Sequence, residues 1–175
     1  MSGIVNSTGA RSGVIGITVG TPAGGVTEAD QWGLRSNPNS TGYLTTQWSR
    51  SSNAGLIGTG LGYASSSGVF SFPSTGVWLI INQFDFTTTG SDDYIDIELR
   101  VTTNNSSYAS TNQVQIGNSQ DNHTVSLSSF IDVTDIANVK FKWYLSSMDS
   151  SELRTEAGNN AIHRSGFVVI RLGDT

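Results

Sequence analysis

Asp96 and Glu98, two residues apart in DDYIDIELRV, are the chain's closest approach to an acid–base pair. On a strand they share a face, with backbones roughly 6–7 Å apart, and a carboxyl pair is what glycoside hydrolysis needs. The same pattern has a plainer use, because alternating charges on the outer side of a strand keep a sheet soluble. The two histidines, His123 in NHT and His163 in AIHRSG, fall in no metal-ligand spacing and are expected as solvated or hydrogen-bonded turn residues. Gly58, Gly60 and Gly62 in GTGLG lack the spacing and the following helix of a dinucleotide loop. There is no nucleophile elbow and no phosphate loop, so the expected set of catalytic residues is empty.

Ligand chemistry has two further sources. Asp92 and Asp93 follow a Gly-Ser turn, and GNSQDN gathers Asn118, Asp121 and Asn122. Calcium takes oxygen ligands from loops of this kind, but Asx residues also stabilise turns unaided, and no D-x-D-x-D-G loop is present. No cofactor or metal is expected; were calcium bound, Asp92, Asp93 and Asp121 are the residues it would use. Tyr43, Trp48, Tyr63, Tyr108 and Tyr144 are the rings that could stack on a sugar if exposed; packing at the core or its rim is the commoner use.

The elements that carry these residues read as strands. In FSFPSTGVWLIINQFDF, Phe70, Phe72, Trp78, Ile80, Phe84 and Phe86 all fall on even positions, the two-residue period of a strand. Val77, Leu79 and Ile81 add apolar residues on the odd side. A strand apolar on both sides is covered twice or meets another subunit. YLTTQW, DDYIDIELRV, NVKFKWYL and GFVVIRL alternate likewise, and QVQI and TVSL are shorter strands. Phe141, Trp143 and Phe167 are placed inward. Gly/Asn/Ser clusters separate the strands, as in a sandwich or barrel. One helical turn is expected near Val133–Asn138, with Thr134 as its cap.

Composition narrows the classes. Of 175 residues only 13% are charged, with a net charge of −5. An acidic chain without a basic run gives phosphate backbones little to bind, so nucleic acid is not an expected partner. With no cysteine, disulfides and thiolate metal sites are excluded. No run approaches 18 apolar residues, and the N-terminus lacks a basic region followed by an apolar core, so neither membrane insertion nor signal-directed export is indicated. Residues 1–40 are Gly/Ser/Thr-rich with isolated Ile and Val, and are expected to be an extended arm lying on a partner. Its anchors are Ile4, Val5, Val14, Ile15, Ile17 and Val19; an arm folded back on its own domain is the alternative. Residues 41–175 form the single domain.

Phe70-Ser-Phe72-Pro73 followed by Thr75-Gly76-Val77-Trp78 resembles the F-x-x-P-x-x-G-x-Y/W signature of C1q/TNF-like domains. DIANVKFKWYL resembles that family's G-D-x-V-x-L strand through Asp135 and Val139, although its Gly is missing. Ser165-Gly166-Phe167-Val168-Val169-Ile170 resembles the closing F-x-G-F-x-L strand. The resemblance spans about residues 40–172. It implies a jelly roll of two packed sheets, assembly as a homotrimer about a threefold axis, no enzymatic activity and, in some members, calcium near the axis. The opening VNSTGARSGVIG resembles segments of marine bacteriophage structural and fibre proteins.

The expectation is thus an all-β, homotrimeric jelly roll with an N-terminal arm. Phe70, Phe72, Trp78, Ile80, Phe84, Phe86, Phe141, Trp143 and Phe167 supply its core and trimer interface. Functionally it is expected to be a virion structural protein on the capsid or tail surface. It would be a capsid decoration (cement) protein or a short fibre or spike head, bound to capsid or tail proteins. The alternative is a receptor-binding head that recognises host surface glycans.

Overall fold

The computed structural model describes residues 25–45, 48–50, 55–87, 94–117, 122–148 and 164–175, and the backbone of 152–154. Two antiparallel sheets face each other across one core. In the first sheet the strand order is β10 (Ser128–Val133), β6 (Gly76–Thr87), β13 (Gly166–Gly173), β1 (Ala29–Leu34) and β3 (Trp48–Arg50). Beyond Asn82, β6 also pairs with β9 (Asn122–Val125) and β12 (Glu152–Arg154). The second sheet runs β4 (Gly62–Ala64), β5 (Val69–Ser71), β11 (Lys140–Ser146), β7 (Tyr94–Thr102) and β8 (Ala109–Gly117), with β2 (Gly42–Tyr43) beside β11.

The even positions of β6 drive this packing. Trp78, Ile80, Phe84 and Phe86 point inward and meet Phe70 and Phe72 from the second sheet side, Phe141 and Trp143 from β11, and Phe167 from β13. Phe70 stacks on Phe141 at 5.0 Å and meets Phe167 edge-on at 5.0 Å. All nine residues expected at the core and trimer interface are buried within one subunit. They are core, and none of them is left to touch a neighbouring copy. The surplus lies on the odd positions: Val77 and Leu79 are half-buried and Ile81 is exposed.

Three expectations change. Residues 29–34, assigned to the arm, form β1 between β13 and β3, with Trp32 and Leu34 in the core. The sheet domain therefore begins before residue 41. Apolar alternation in ADQWGL outweighs the small-residue composition around it. YLTTQW is not one strand: β2 belongs to the second sheet and β3 to the first, so the chain changes sheets there, with Leu44 buried at the crossing. The segment at 133–138 closes the single expected turn and no more, and its capping side chain is Asp135 rather than Thr134. It is a turn in which the Asp135 carboxylate accepts from Ala137 N–H and Asn138 Nδ2, and the Asp135 carbonyl accepts from Val139 N–H. An Asx turn satisfies these donors locally, so helix propagation gains nothing.

The arm anchors Ile4, Val5, Val14, Ile15, Ile17 and Val19, the calcium candidates Asp92, Asp93 and Asp121, and also Asn118 and His163 lie outside the described residues.

Candidate functional site

Two outer faces stand out, one on each sheet. On the first sheet, antiparallel register lines up Phe130, Leu79, Ile170 and Ala29 in one row across β10, β6, β13 and β1. The next row is Ser128, Ile81, Val168 and Gln31. Phe130 is 67% exposed, Leu172 53% and Ile81 44%. A hollow of about 420 Å³ lies beside Ile81, Gln83, Gly166, Val168 and Gln31. Gly166 forms part of its lining because β13 passes so close to β1 that a Cβ there would come 2.4 Å from the Trp32 carbonyl oxygen. Asn82 marks where β6 exchanges β10 for β9: its Oδ1 accepts from Leu127 N–H at 2.8 Å. Contiguous apolar surface of this kind signals an interaction site.

The second sheet presents a polar face. Asp96, Glu98 and Arg100 of β7 stand opposite Ser146, Tyr144 and Lys142 of β11. Asp96 and Glu98, expected in solvent, are only 6% and 8% exposed. Glu98 holds the Arg100 guanidinium through two contacts, Nε to Oε2 at 2.8 Å and Nη2 to Oε1 at 3.2 Å. Arg100 is the main reason the Glu98 carboxyl lies below its usual range; Ser110 and Ser146 add hydrogen bonds, and burial opposes them. A carboxyl so held carries no proton to give at neutral pH, which removes it from the acid role of a glycosidase pair. Asp96 Oδ2 shares the Ser146 hydroxyl with Glu98, at 3.2 and 3.4 Å, while Asp96 Oδ1 has no hydrogen-bond partner among the described residues.

Three of the five rings singled out for sugar stacking converge on this face. Tyr43 meets Tyr144 edge-on at 4.9 Å. The Arg100 guanidinium lies 3.7 Å from the Tyr144 ring centre and donates to the Tyr43 hydroxyl at 3.2 Å. Lys142 Nζ sits 3.5 Å from the Tyr43 ring centre and 4.0 Å from that of Tyr108. Burial, then the Tyr43 charge, push the Tyr108 phenol up. The other two rings are elsewhere. Trp48 is buried against Phe70, Phe84 and Phe167, and Tyr63 stacks on Phe70 at 4.7 Å.

The remaining sequence motifs have structural uses. At GTGLG, Gly58 and Gly60 adopt φ of 76° and 75°, and the N–H groups of Thr59 and Gly60 bind the Glu28 carboxylate at 2.8 and 3.2 Å. That nest is occupied by the chain's own acid. His123 lies on β9, opposite Phe86. One buried acid escaped the sequence: Asp30 accepts from Gln31 N–H, Trp32 Nε1, Leu61 N–H, Arg50 Nε and Arg50 Nη2, all at 2.8–2.9 Å. It ties β1, β3 and the segment before β4 together.

No family model matches the chain, and no curated protein does. Solved structures do. Eiger TNF from S. frugiperda is 14% identical, with a TM-score of 0.56, covering 86% of this chain and 96% of that one. Murine APRIL is 8% identical, with a TM-score of 0.60, covering 83% and 98%. The chain is a TNF-like jelly roll. At these identities the likeness concerns the fold, in agreement with the C1q/TNF-like signature at Phe70–Trp78.

Proposed function

We propose that the chain is a non-enzymatic structural component of a virion surface. It assembles as a homotrimer through the outer face of its first sheet and is docked to capsid or tail proteins by residues 1–24. The observation that carries this reading is the row of Phe130, Leu79 and Ile170 with Ile81 and Leu172 beside it. Apolar area on one side of an edge-rich β protein is a liability unless a partner covers it. A second copy of the same TNF-like fold is the partner the C1q/TNF resemblance implies. The phage setting is supported by the resemblance of VNSTGARSGVIG to phage structural segments, and it covers a capsid decoration protein or a short fibre or spike head. Deleting residues 1–24 tests the docking role. The number of subunits in the assembly is expected to stay unchanged while particle attachment disappears; attachment that survives the deletion contradicts the reading.

The convergence of Tyr43, Tyr108 and Tyr144 favours one second reading, a receptor-binding head that recognises host glycans through the outer face of its second sheet.

A further inference from the structure

We propose that the outer face of the second sheet binds an acidic saccharide, with Lys142 as the anchor for its carboxylate or sulfate group and Tyr43 and Tyr108 as the walls beside it. This rests on the receptor-binding reading and names the site and the ligand class.

The charge distribution is the starting point. The chain has nine basic residues against fourteen acidic ones, and only two of the nine are lysines. Both, Lys140 and Lys142, lie on β11 at outward positions one strand repeat apart, roughly 6–7 Å. Lys140 Nζ donates to Asn105 Oδ1 at 2.7 Å. Arg100, across from Lys142, is already neutralised by Glu98. Lys142 is different. Among the described residues it has no carboxylate within 4 Å and no hydrogen-bond acceptor; its contacts are the Tyr43 and Tyr108 rings. Acids outnumber bases in this chain, so a structural lysine would readily find one.

Ring faces attract the ammonium charge but do not satisfy its three N–H donors as an oxyanion does. The two rings also fix the long side chain and keep water from part of it, so an incoming anion meets a positioned cation at reduced entropic cost. Tyr43 is exposed, and Tyr108 is half-buried on the other side of Lys142. Their rings offer apolar surface to sugar C–H groups; the Tyr43 hydroxyl, which accepts from Arg100, keeps its O–H to donate to a ligand hydroxyl. A long polyanion such as nucleic acid would meet the net charge of −5 around this small basic strip. A short saccharide bearing one or two anionic groups fits the Lys140–Lys142 end of the face, away from Glu98 and Asp96, which stand opposite Tyr144 and Ser146.

The experiment is isothermal titration of the full chain with three probes: tetragalacturonate, a sulfated galactose tetrasaccharide, and neutral cellotetraose. At least one acidic probe is expected to bind and cellotetraose is not; which acidic probe binds tells carboxylate from sulfate. Lys142→Gln and Tyr108→Leu are each expected to weaken binding at least tenfold, whereas Lys142→Arg retains most of it. Thermal melts confirm that each variant is folded. Acidic probes that bind Lys142→Gln as tightly as wild type overturn the proposal. Binding of cellotetraose equal to that of the acidic probes overturns the acidic ligand class and leaves the receptor-binding reading standing. Absence of binding to all three overturns the proposal.

Discussion

Phe130→Ser separates an interface residue from a core residue by arithmetic. A phenylalanine buries about 150–250 Å² when fully covered, and Phe130 is 67% exposed in the single subunit. About 100–170 Å² therefore remains to be covered. At about 25 cal/mol per Å² that is about 2.5–4 kcal/mol per copy, or about 9 kcal/mol over three copies. Each 1.4 kcal/mol is a factor of ten in an equilibrium constant. The midpoint concentration of a monomer–trimer equilibrium varies as the square root of its constant. Phe130→Ser is thus expected to raise that midpoint about a thousandfold, read by sedimentation velocity across a concentration series. The melting temperature of the isolated subunit is expected to stay within a few degrees, because the side chain points away from the core. An unchanged midpoint, or a loss of subunit stability typical of a core phenylalanine, refutes the reasoning.

Three other outcomes follow from the same geometry. Asp30→Ala strips the acceptor from Trp32 Nε1, Leu61 N–H and Arg50. With about 1–3 kcal/mol for each buried donor left unpaired, and about 2–4 °C per kcal/mol at this chain length, the melting temperature is expected to fall by roughly 10–20 °C. Glu98 has its folded-state carboxyl lowered by Arg100. Its contribution to stability is therefore present above the unfolded value of about 4.3 and lost as pH falls through that value toward the folded one. Chemical denaturation between pH 7 and 3 is expected to show this slope, flattened in Glu98→Gln. Gly166→Ala drives a Cβ against the Trp32 carbonyl and is expected to cost about 1–3 kcal/mol, the range for overpacking; urea titration measures it.

Much of the fold was legible because strand period and burial are local properties. Phe70 to Phe86, Ile95 to Leu99 and Phe141 to Leu145 all declare their inward sides by alternation alone, and their even or odd parity survives in the structure. What the sequence hid depends on register between distant segments. Asp96 and Glu98 look like solvated charges until β11 brings Ser146 and Tyr144 opposite them. Asp30 looks like a surface acid until Arg50 and Leu61 meet it. Phe130 went unread because SSFIDV places small Ser129 inward and the large ring outward, inverting the size pattern that marks a core face. The even side of β6 was likewise assigned to both core and interface, although one strand side cannot serve both; the odd side and Phe130 supply the exposed surface.

Self-association through the first sheet is the claim on which the functional account stands. Sedimentation velocity on the intact chain tests it most directly. A single species of three times the 18.6 kDa subunit mass is expected at micromolar concentration, and an 18.6 kDa species at every concentration contradicts self-association.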